Sequence, residues 1–109
     1  MDEQGKIITY CRSLNVGDKI KFNTEKQRYT VKAKNERYLI CTKPYNLIHH
    51  VLYTIIDLDR FVRGRNDRIF NPYDYMMQEK IDRCLGDLIS GKVEVSWRHC
   101  IPLDIQTKE

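Results

Sequence analysis

Glycine and proline are scarce in this 109-residue chain, at five and three, and there is a single tryptophan. So little of either rules out a collagen-like repeat or a low-complexity linker, which need those residues in quantity. No run approaches the roughly 18 consecutive apolar residues that a membrane-spanning helix needs. The opening Met1-Asp2-Glu3-Gln4 is acidic, whereas a secretory leader starts basic and turns apolar, so the expected compartment is the cytoplasm, with no membrane partner.

Short chemical motifs are missing too. There is no glycine-rich phosphate loop, no nucleophile elbow and no closely spaced pair of carboxylates in a pocket-forming context. Cys11, Cys41, Cys84 and Cys100 form no Cys-x-x-Cys pair, so no zinc site is expected, and the thiols read as reduced and buried or half-buried. His49-His50, His99 and Cys100 are the residues from which a base and a nucleophile could be drawn, with Asp57 or Asp104 as orienter, but no spacing supports that geometry. The expectation is therefore no enzyme, no cofactor and no metal.

What is present is core-forming material and uneven charge. Apolar residues make up 41% of the chain and aromatics 10%, enough for one core in a single domain over 16–105, with 1–15 as an N-terminal extension and 106–109 as a tail. Residues 1–50 hold ten Lys or Arg against five Asp or Glu, while residues 51–109 hold nine against ten, so the whole excess behind the net +4 lies in the first half. Such asymmetry suits a surface for phosphates or for an acidic partner, although it is well below the charge of a dedicated nucleic-acid binder.

Periodicity places the elements. Lys19-Ile20-Lys21-Phe22 alternates charged and apolar residues, and Arg28 to Lys34 does the same with Tyr29, Val31 and Ala33 on one face, so the two runs read as a hairpin. Tyr38 to Thr42 is a short apolar strand ended by Lys43-Pro44, and Val51 to Asp57 is a β-branched run apolar on both faces, hence central. Arg63 to Asp67 is a polar turn, and Arg68-Ile69-Phe70 adds a brief strand. Asn71-Pro72 carries helix-start chemistry, and Met77, Ile81, Cys84, Leu85 and Leu88 follow at helical spacing. Val93, Val95 and Trp97 alternate in a further strand, which Pro102 closes. The expected fold is α+β: a small curved antiparallel sheet, first choice an SH3-like barrel, with one amphipathic helix near the C-terminus. Residues 1–14 have no firm period and their conformation stays open.

Two constellations point to binding. Strand alternation puts Lys19, Lys21, Arg28, Lys32 and Lys34 on one outward face, a cationic ladder suited to phosphate or an acidic protein surface; the alternative is an ordinary solvated face whose lysines guard against aggregation. Arg60, Arg63, Arg65 and Arg68 fall within nine residues of a loop expected to be exposed, where guanidinium forks can hold phosphate or carboxylate, although Asp57, Asp59 and Asp67 can pair with them locally. Seven tyrosines are many for this length; Tyr45 and others cannot all be buried, and Tyr and Arg are enriched at interfaces.

Leu52-Tyr53-Thr54-Ile55-Ile56-Asp57, then Arg63-Gly64, then Leu88-x-x-Gly91-x-x-Glu94-Val95-Ser96-x-Arg98 and Ile101-x-Leu103-Asp104-Ile105 resemble a family of small proteins encoded by temperate phages and prophages of Gram-positive bacteria. Val16 to Phe22 and Leu39-x-Cys41-Thr42-Lys43-Pro44 fit the same family, so the likeness covers about residues 16–105. The chain departs from the pattern at its N-terminal extension, at His99 where the family tends to have Asn, and in a more basic stretch from Asp59 to Arg68. The resemblance implies a context rather than an activity: a modulator of bacterial host machinery, such as an inhibitor of a defence nuclease of the anti-CRISPR kind, with a host protein as partner, or else a regulator that binds nucleic acid or a nucleotide directly.

Overall fold

The structure is a computed structural model that describes residues 3–44, 50–77, 83, 85–87, 89–90 and 100–107. In chain order the elements are α1 (Glu3–Ser13), β1 (Lys19–Ile20), β2 (Tyr29–Lys34), β3 (Tyr38–Pro44), β4 (His50–Asp57), α2 (Leu58–Val62), β5 (Asp67–Met77) and β6 (Cys100–Pro102). The strands form one six-stranded antiparallel sheet in sequential order, a meander. The expected α+β class is therefore observed. β4 is interior, as its two apolar faces require, and its ladder with β3 runs unbroken from Tyr38↔Asp57 to Pro44↔Val51.

Among the described residues the sheet is not closed into a barrel. β1 has only two residues and β6 only three, too few for the sheet edges to pair along their length. The segments that leave those edges meet at a single bridge, Phe22↔Ile105, flanked by Asn23 N–H donating to Asp104 O at 2.9 Å and Gln106 N–H to Lys21 O at 2.8 Å.

Each sheet face carries its own cluster. On one, Ile20, Tyr29, Val31, Leu39, Cys41 and Ile56 pack with Ile7, Cys11 and Leu14 from the α1 segment, Leu58 and Phe61 of α2, and Leu103 and Ile105. Ile7, Cys11 and Leu14, the last just beyond α1, recur at spacings of four and three and, with Ile8 and Tyr10 packed beside them, join α1 to the core of the sheet. On the other face Tyr38, Ile40, Val51, Ile55 and Ile69 cluster, with Leu85 and Cys100 packed against them.

α2 interrupts what the sequence reads as loop. Asp57 caps it, accepting from the amides of Asp59 at 3.0 Å and Arg60 at 3.4 Å. Gly64, at φ 97°, then turns the chain back, a conformation that side chains with a Cβ rarely adopt.

The helix expected to start at Asn71-Pro72 does not start there, because β5 continues to Met77. The β4–β5 register explains how a proline is accommodated. It jumps from Thr54↔Phe70 to Leu52↔Tyr75, so residues 71–74 fall in an interruption of the ladder, where an absent amide breaks no pair. Arg83, Leu85 to Asp87, Ile89 and Ser90 have helical backbone; most of the expected helix, and the expected strand at 93–97, lie outside the described residues.

Candidate binding surface

The cationic ladder survives only in part. Lys19, Arg28 and Lys32 are exposed, and Lys19 stands across the ladder from Thr30, to whose Oγ1 its Nζ donates at 2.6 Å. Lys21 and Lys34 do not belong to that surface. Lys21 lies one residue beyond β1, where its ammonium turns back on the carbonyls of Phe22, at 2.8 Å, and Glu25. Lys34 is redirected by a register shift between Val31 and Ala33: one extra residue in a strand moves every later side chain to the opposite face. Ala33 consequently joins the second cluster, and the Lys34 ammonium reaches the end of α1, where it donates to Arg12 O at 3.1 Å and to Leu14 O. Lys26, in the loop before β2, is exposed as well. Its only signal in the sequence is its position between two strands that already carry cations.

The arginine group is dispersed. Arg60 grips both Asp67 oxygens at 3.2 Å, and Arg63 makes an exposed pair with Asp59 at 3.3 Å. Arg65 is exposed and pairs with no carboxylate among the described residues. Arg68 corrects the reading of an exposed loop outright: it is a β5 residue and is 0% exposed. Tyr45 lies outside the described residues, whereas Tyr29 and Tyr38 are core residues.

Arg68 organises a polar network that periodicity did not reveal. Its guanidinium stacks on the Phe22 ring, with Cζ 3.6 Å from the centroid, and Phe70 and Tyr29 stand at 5.8 and 5.7 Å. Nη1 donates to Thr54 Oγ1 at 2.9 Å, and that hydroxyl donates to Ile69 O at 2.6 Å. Nη2 donates to Glu25 Oε2, while Glu25 Oε1 accepts from Lys43 Nζ at 2.6 Å and Tyr29 Oη at 2.8 Å. Burial pushes the Glu25 carboxyl up, but the hydrogen bonds from Lys43, Arg68 and Tyr29 outweigh it and hold the group below its ordinary range. Burial, reinforced by the Glu25 charge, pushes the Tyr29 phenol up, so it remains a donor. Glu25 is thus a charged residue of an exposed loop turned wholly to internal use.

The thiols of the described residues, Cys11, Cys41 and Cys100, are not activated. Burial pushes Cys11 up to about 12 and raises Cys41 further, and burial together with Asp67 raises Cys100, so none is biased toward thiolate. His49 and His99 lie outside the described residues, and among those residues no group of His, Cys, Asp or Glu could hold a metal. An open groove of about 610 Å³ runs beside the β2–β3 turn, lined by Arg12, Lys34, Asn35 and Glu36. Comparison with protein-family models, curated proteins and solved structures finds no match to this chain.

Proposed function

We propose that this is a small non-enzymatic binding protein, of the kind that temperate phages encode to modulate or inhibit a host protein, and that it docks on an acidic surface through Lys19, Lys26, Arg28 and Lys32. A host defence nuclease, bound in the manner of an anti-CRISPR, is the partner class the proposal names. One observation carries the reading. Those four cations are exposed and form no ion pair among the described residues, because Glu25, the only carboxylate between Lys19 and Asn35, is turned inward to Arg68 and Lys43. A surface left unneutralised in this way attracts anionic partners at long range and selects against cationic ones.

The test is retrieval of host proteins with the tagged chain before and after nuclease treatment, alongside a variant combining Lys26→Glu, Arg28→Glu and Lys32→Glu. The expected result is a stoichiometric protein partner that survives nuclease treatment and is lost with the variant. A partner retained by the charge-reversal variant would sink the proposal. Loss of the partner on nuclease treatment, with binding to an oligonucleotide that falls steeply with salt, would replace it with direct nucleic-acid binding.

A further inference from the structure

We propose that Glu25 is a positioning residue for the basic surface, holding residues 23–28 in the conformation that presents Lys26 and Arg28; this inference rests on the surface reading above. Asn23, Thr24, Lys26, Gln27 and Arg28 are all exposed, so this connection has little apolar contact to order it. Two polar tethers do so instead. The outer one is Asp104, whose carbonyl accepts from Asn23 N–H at 2.9 Å and whose Oδ2 accepts from Thr24 N–H at 2.8 Å. The inner one is the Glu25 side chain, held by donors from three strands: Tyr29 of β2, Lys43 of β3 and Arg68 of β5. Lys21 closes the base of the loop by donating to the carbonyls of Phe22 and Glu25.

A loop whose backbone is fixed before binding spares the complex the cost of ordering that segment, so an acidic residue strengthens the capture of an anion. Simple charge counting gives the opposite answer, because removing either Glu25 or Asp104 raises the formal net charge from +4 to +5. That opposition makes the inference testable on the intact chain.

Glu25→Gln and Asp104→Ala would be compared with wild type by amide hydrogen exchange and by the salt concentration that elutes each from immobilised heparin. Asp104→Ala supplies the second variant because it leaves no buried cation without its carboxylate. The expected result is exchange about tenfold faster in residues 23–28, with β3 and β4 unchanged, and elution at lower salt despite the added positive charge. Unchanged loop exchange in Glu25→Gln, acceleration spread over the whole sheet, or elution at higher salt overturns the inference. Wild-type elution of the Lys26→Glu, Arg28→Glu, Lys32→Glu variant instead removes the surface reading beneath it, a result the loop exchange rates do not depend on.

Discussion

Arg68 and Arg28 carry the same guanidinium, yet one is sealed between aromatic rings with a carboxylate and a hydroxyl as partners, while the other is exposed and unpaired among the described residues. Local sequence does not separate them, since each stands immediately before an apolar strand residue, Ile69 or Tyr29. Glu25 does, by folding over Arg68 from a distant part of the chain and leaving Arg28 without a counter-ion. The difference is therefore three-dimensional: the interior guanidinium is fixed by groups from several strands, and the exterior one faces solvent.

Breaking the interior side of this comparison should have the largest effect. Arg68→Ala strips the half-buried Glu25 of one of its three donors and opens a cavity against Phe22, so a loss of about 3–5 kcal/mol is expected in urea denaturation. Thr54→Val should cost about 1–3 kcal/mol, because Ile69 O and Arg68 Nη1 both lose a buried partner. Asp57→Ala should follow at about 1–2 kcal/mol through loss of the α2 cap; Asp57 also takes the Arg37 fork, at 3.0 Å to each oxygen, but Arg37 is half exposed and that pair adds little.

Acid sharpens the same contrast. The folded-state Glu25 carboxyl titrates below its ordinary 4.5, so the stability it confers is complete above that pH and is lost as pH falls through the lower folded value. Urea midpoints measured from pH 7 down to pH 3 should therefore fall less steeply in Glu25→Gln than in wild type. At the exterior the effect on folding should be smallest: the triple reversal at Lys26, Arg28 and Lys32 should shift stability by no more than about 0.5 kcal/mol in either direction while abolishing partner capture.

The strands of the first half were legible because period-two alternation and apolar runs act over a few residues. β3 and β4 fall on those runs and β1 pairs with β2 as a hairpin, but β3 continues through Lys43 and Pro44, paired with Leu52 and Val51, so the proline does not end the strand where it was expected to. Asn71-Pro72 misled because its helix-start chemistry is also what an interrupted strand can absorb, and only the β4 register separates the two. The cationic ladder failed at Lys34 for a related reason, since a bulge is one residue of pairing arithmetic that no local motif announces. α1 was ambiguous because Ile7, Ile8, Tyr10 and Cys11 show no firm period by themselves, and their burial acquires meaning only against the sheet. The inward turn of Glu25 had no sequence signal, because its partners lie 4, 18 and 43 positions away.

The lone bridge between Phe22 and Ile105 bears on the order in which the molecule assembles. Joining points separated by about 80 residues demands a large closure entropy, whereas each hairpin of the meander closes a short loop. The seam should form last during refolding and part first under load, so substitutions beside it should quicken unfolding while leaving the rate of refolding nearly untouched.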